Sequence, residues 1–243
     1  MINDVKSCVK ITLTDTKPSI FESKVGGLGY ISHNSNFPTD SKGRQLRLLA
    51  QIDCAEIQLD EFPENGLLQF WIMNDEDYKY GCDFDNPTNQ DGFRVIYYPE
   101  TDTTVTEEEI RNKFVKSKND DDKYRFPVLR ECGMRLERHK EQYIDYDNYY
   151  SCVDPEGDMS KEYGFEIAWH KIGGYPYFII VDPKDDEHMK DYDFLLFQLN
   201  TDAKNNEYSV WWGTYEGVGS FFINSEKLRK LDFSDVLYTH EWG

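Results

Sequence analysis

The residues of this sequence best equipped for chemistry lie scattered along it. Asp182, Asp185, Asp186 and His188 gather three carboxylates and an imidazole in one polar stretch. Hard oxygen ligands with one imidazole suit a divalent cation, although a run of acids is more commonly a solvated face. Asp83, Asp85, Asn89 and Asp91-Gly92 approach a calcium loop in spacing. Pro87 stands at a ligand position there and the closing bidentate Glu is missing from its place, so a plain loop is expected. No metal or other cofactor is predicted. His33, His139, His170, His188 and His240 show no ligand spacing, and the chain has no G-x-S-x-G, P-loop, G-x-G-x-x-G or H-E-x-x-H motif.

A different set of polar residues could meet in a groove. Gln51 and Gln198 occupy equivalent places in two similar stretches of chain. If those stretches pack about a pseudo-twofold axis, the two amides could converge, with Arg94 and Lys171 as further polar groups and Trp71 or Trp212 as a wall. The competing reading is that each glutamine satisfies backbone groups of its nearby Gly-Gly turn, and the rule that buried polar groups find partners favours it. Arg94, inside an apolar run, is either an anion anchor or one half of an internal ion pair; an acidic protein favours the pair. Trp211-Trp212 in a strand would place one ring in the core and the other at the surface.

The elements that must position these residues come from an internal repeat. Lys24-Val25-Gly26-Gly27-Leu28-Gly29-Tyr30 aligns with Lys171-Ile172-Gly173-Gly174-Tyr175-Pro176-Tyr177 at an offset of 147. The same offset places Leu48-Leu49-Ala50-Gln51-Ile52-Asp53 on Leu195-Leu196-Phe197-Gln198-Leu199-Asn200. After four inserted residues, Gly66-Leu67-Leu68-Gln69-Phe70-Trp71-Ile72 aligns with Gly217-Val218-Gly219-Ser220-Phe221-Phe222-Ile223. Repeat one spans about 24–99, a divergent insert about 100–170, and repeat two about 171–238.

Both repeats read as strands and turns. Leu48, Ala50 and Ile52 alternate with Leu49, Gln51 and Asp53, the period of two expected of a strand. Val9 to Leu13, Phe93 to Tyr98 and Tyr175 to Val181 have similar character. Thr106 and Glu109 form a capping-box pattern that predicts a helix over Thr106 to Ser117, and a short helix is expected from Ser225 through Leu228. The expected fold is mainly β, with few short helices and two antiparallel, roll-like repeats merged into one domain.

These repeat motifs, together with Leu46-Arg47, Phe93-Arg94-Val95-Ile96-Tyr97-Tyr98, His170 and Asp232-Phe233-Ser234-Asp235-Val236-Leu237-Tyr238, resemble the YwqG-like family, domain of unknown function 1963. The resemblance covers nearly the whole chain. It implies a mainly β, roll-like fold with an internal duplication and supplies no established activity. Members of the family have been suggested as immunity proteins that neutralise partner toxins.

Composition narrows the partners. The 46 acidic and 27 basic side chains give a formal charge of −19, which repels nucleic-acid phosphate and anionic lipid headgroups. Nucleic acid and membrane are therefore not expected as partners. Cys8, Cys54, Cys82, Cys132 and Cys152 are odd in number and lack any C-x-x-C pair, which fits reduced thiols in the cytoplasm. The amino terminus reads without an export signal, and no run approaches the length of a membrane span. Two functions are consistent with these features. One is a monomeric, non-catalytic acidic binding protein, immunity-type, for a basic protein partner; the other is a small-ligand protein or enzyme that uses the groove between the repeats.

Overall fold

A computed structural model describes residues 5–74, 77–142, 168–180, 187–205 and 207–243. The fold is mainly β, as expected. Its strands are β1 (Val5–Thr14), β2 (Lys24–Val25), β3 (Arg47–Asp53), β4 (Leu67–Ile72), β5 (Phe93–Tyr98), β6 (Cys132–Gln142) and β7 (His170–Gly173). They continue with β8 (Phe194–Asn200), β9 (Asp202–Lys204), β10 (Glu207–Val210), β11 (Gly217–Ile223) and β12 (Leu237–Trp242). Two short helices, α1 (Glu107–Lys113) and α2 (Ser225–Arg229), complete the elements used below.

Ten strands form one antiparallel sheet in the order β12-β11-β8-β7-β1-β6-β2-β3-β4-β5, and β9 pairs with β10 beside it. The order is palindromic. Four strands built from the first set of motifs lie on one flank, four from the second on the other, and β1 and β6 pair over ten positions between them. The divergent middle of the sequence thus supplies a central strand, β6, which pairs with β2 as well as β1.

The sheet curls until its flanks share one core. Phe70 of β4 stacks on Phe197 of β8 with ring centroids 4.7 Å apart, and Phe93 of β5 meets Tyr238 of β12 at 5.2 Å. The two edge strands therefore approach each other and the sheet nearly closes. Loops cover the outer face: Trp71, Leu48 and Tyr30 form a second cluster with Phe37 and Ile110 of α1, and Leu195, Phe222 and Leu237 form a third.

One facing expectation changes. Leu48, Ala50 and Ile52 do not share a face, because the register of β3 against β4 shifts between Leu48 and Ala50. The bulge sends Leu48 outward beside Trp71, while Leu49, Ala50 and Ile52 enter the shared core. Beside β8 a shift at Phe221/Phe222 has the same result: Leu195 packs outward, and Leu196, Phe197 and Leu199 pack inward. Both strands are buried on both faces, so their polar members need internal partners.

Two element boundaries also differ. Thr106 caps α1 by accepting from the Glu109 backbone N–H at 3.2 Å, but the helix stops at Lys113, short of Ser117. Phe114 leaves helical geometry with ψ 128° and sets its ring on Phe37. Residues 175–178 are not a strand, because the backbone N–H groups of Tyr175 and Tyr177 bond to the side chains of Glu141 and Gln198; Val181 lies outside the described residues. The helix expected at Ser225 is present, capped by the Asn224 side chain. No helix among the described residues is long and apolar enough to cross a membrane.

Candidate functional site

The repeated motifs build two matching polar nodes. In the first, Lys24 of β2 lies opposite Gln51 of β3. Gly26 and Gly27 follow Lys24 with φ of +67° and +68°, a left-handed turn that glycine enters without steric cost. That turn brings the Tyr30 backbone N–H within 2.8 Å of Gln51 Oε1, which also accepts from Gln69 Nε2 at 2.8 Å. Gln51 Nε2 donates to the carbonyls of Ile20 and Glu22, at 3.0 and 2.9 Å. Trp71 Nε1 extends the chain by donating to Gln69 Oε1 at 3.0 Å.

In the second node, Lys171 of β7 pairs with Gln198 of β8, and Gly173 and Gly174 turn with φ of +71° and +74°. Tyr177 N–H donates to Gln198 Oε1 at 2.8 Å, and Gln198 Nε2 donates to the Trp169 carbonyl at 2.9 Å. The second node repeats the tyrosine N–H to glutamine oxygen bond and one amide-to-carbonyl bond of the first, while Gln198 Nε2 gives its other hydrogen to Asn200 Oδ1 at 3.0 Å.

Each buried lysine is neutralised by a glutamate from β6 or its entrance. Lys24 Nζ lies 2.7 Å from Glu131 Oε1, and Lys171 Nζ lies 2.7 Å from Glu141 Oε1. A single central strand thus serves both nodes, one from each of its ends. Burial lowers the Lys171 pKa and Glu141 opposes that shift. Burial also pushes the neighbouring Cys8 thiol up to about 12, with the Glu141 charge adding to the effect, so Cys8 is a poor nucleophile.

Buried His170 and Asp202 form a histidine–carboxylate pair beside the second node. His170 Nδ1 accepts from the Asn200 backbone N–H at 3.0 Å, which requires the proton on Nε2, 3.4 Å from Asp202 Oδ2. The imidazole lone pair is already used, so His170 holds β8 in place and is not poised as a base. Asp202 stays below the usual carboxylate range, chiefly through that histidine bond.

The six residues expected to line a groove do not come together as one. Gln51, Gln198 and Lys171 are fully buried and spend their polar atoms on the partners just named. Trp71 packs in the outer cluster and Trp212 in the shared core, on different faces of the sheet. Trp212 is the tandem ring that enters the core. Arg94 is half-buried on β5 opposite Trp71; among the described residues it has no ion pair, and its Nε–H donates to the Phe93 carbonyl at 3.4 Å. The internal pair expected for Arg94 is therefore replaced by a weak backbone contact. The loop at Asp83 is held by its own side chains, with Asn89 Nδ2 donating to Asp83 Oδ2 at 3.0 Å. Asp182, Asp185, Asp186 and the His188 side chain lie outside the described residues; among the described residues no three His, Cys, Asp or Glu side chains gather as a metal site.

A family model described as a domain of unknown function, DUF1963, matches residues 23–241. The chain belongs to the DUF1963 family. No curated protein matches it. The lysines, glutamines and glutamates of both nodes of this DUF1963 chain fall inside the matched span. Glu131 and Glu141 were missed in the sequence because β6 has no repeated counterpart to mark them. His240 was missed as well: its ring lies between Trp212 and Trp242, at 5.7 and 5.1 Å between centroids, an environment that no local motif announces.

Proposed function

We propose that this protein is a non-catalytic acidic binding protein that captures a basic protein partner. The supporting observation is a patch at the end of β12, where Trp242 is 44% exposed, Phe84 49% and Tyr215 88%. The rings of Phe84 and Trp242 lie 6.3 Å apart, and Gly217, two residues beyond Tyr215, is the sheet partner of Trp242. Asp83, Asp85 and Glu216 flank these rings, and none forms an ion pair among the described residues.

Exposed aromatic rings next to carboxylates without an ion-pair partner suit lysine and arginine side chains, which gain both a cation–π face and a counter-charge. The charge of −19 adds long-range attraction for a cationic protein. Suggestions made for the family point to a toxin as one such partner, with this chain as its immunity protein. The reading places the protein in the cytoplasm as a monomer.

Affinity capture from a cell lysate, followed by titration of the purified partner at rising salt, tests the proposal. A basic protein whose Kd weakens steeply with salt, and by about tenfold or more on Trp242→Ala, supports it. A partner held with equal affinity at all salt concentrations and by the Trp242→Ala variant overturns it.

A further inference from the structure

The two lysine–glutamate nodes differ in one respect that has chemical consequences. At the second, Trp169 Nε1 donates to Glu141 Oε1 at 2.9 Å and the Tyr175 N–H donates to Glu141 Oε2 at 2.7 Å, which seals the pair. At the first node the corresponding space is a cleft of about 170 Å³, with Lys17, Lys24, Arg111, Glu107 and Glu131 in its wall. Ile20 and Leu28 add an apolar side.

Several polar groups in this wall have capacity left. Lys24 is 1% exposed and uses two of its three N–H donors, on Glu131 Oε1 at 2.7 Å and the Leu28 carbonyl at 3.0 Å. Glu131 is 26% exposed, and its second carboxylate oxygen has no partner among the described residues. Lys17 is exposed and forms no ion pair among the described residues, while Glu107 and Arg111 neutralise each other. Three cations against two carboxylates leave the cleft locally positive in a protein of charge −19.

We propose that this cleft binds a small zwitterion of the α-amino-acid class. Its carboxylate is taken by the spare N–H of Lys24 and by Lys17, its ammonium by the free oxygen of Glu131, and its side chain by Ile20 and Leu28. A simple anion would leave the second oxygen of Glu131 without a partner, and a simple cation would leave Lys17 and the spare Lys24 donor without one. Only a ligand with both charges partners all of these groups. The site is independent of the aromatic patch on β12.

The test is calorimetric titration with the common amino acids, with acetate and methylamine as single-charge controls, alongside amide chemical-shift mapping. At least one amino acid is expected to saturate the protein about tenfold or more tightly than either control. Shifts are expected at Gly27 and Leu28 and not at Gly174 and Tyr175. Lys17→Met, a surface change, is expected to weaken binding about tenfold with Tm unchanged. No saturable binding, acetate binding as tightly as the amino acid, shifts elsewhere, or unchanged affinity in Lys17→Met would each overturn the proposal.

Discussion

Lys171 and Glu141 meet at 2.7 Å with no more than 2% of either side chain open to solvent. Removing one partner strands a buried charge, so Lys171→Met and Glu141→Gln should each lower unfolding free energy by about 3–5 kcal/mol. The double change Lys171→Met with Glu141→Leu should recover most of that loss. Lys24→Met should cost less, because Glu131 is partly solvated and water can take over its charge. Urea unfolding midpoints of the four variants check the order.

His240 predicts an acid-sensitive fold. The ring is buried, and burial lowers its pKa from 6.5 to about 4, opposed by a hydrogen bond to the Lys79 backbone. The unfolded chain binds this proton more readily than the folded one. The stabilising contribution is therefore complete above about pH 6.5 and is lost as pH falls toward 4, by up to about 1.4 kcal/mol per pH unit. His240→Phe keeps a ring between the two tryptophans and should flatten this part of the stability profile. An unchanged slope between pH 6.5 and 4 in the variant would assign the acid sensitivity to other groups.

Gln51→Leu and Gln198→Leu should each destabilise the protein by about 2–4 kcal/mol, since each leaves buried backbone groups unpaired at its turn. Amide exchange locates the damage. Tyr30 should exchange faster in the first variant and Tyr177 in the second, with the opposite node unaffected.

Among the described glycines, Gly27 tolerates a side chain poorly. An added Cβ would fall 2.1 Å from Glu131 Oε1, whereas at Gly43, with φ of +77°, it meets nothing within 4 Å. Gly43→Ala should cost about 1 kcal/mol for the left-handed backbone alone. Gly27→Ala should cost distinctly more in the same thermal melts, because it also displaces the partner of Lys24.

Much of this arrangement was legible in the sequence, and the omissions have physical causes. The strands at Leu48 and Leu195 and the turns at Gly26 and Gly173 announced themselves because turn geometry and strand period act locally. The equivalence of Gln51 and Gln198 followed from the repeat, and the reading that each serves its own turn matches the bonds they make. Glu131 stayed hidden because it approaches Lys24 across 107 residues of sequence, a distance at which no spacing rule operates. The bulge at Leu48 was hidden because strict alternation assumes an unbroken register.

The position of β6 bears on how the chain is made. Lys24 leaves the ribosome 107 residues ahead of Glu131, and β1 emerges before either of its sheet neighbours, β6 and β7, has been synthesised. The first flank can pair β3 with β4 and β4 with β5 as it emerges, yet its lysine stays hydrated and β1 unpaired until the centre of the sheet arrives. The centre of the sheet therefore closes when β6 arrives, ahead of the second flank, and an interrupted translation product ending before β6 would leave β1 without either of its sheet partners.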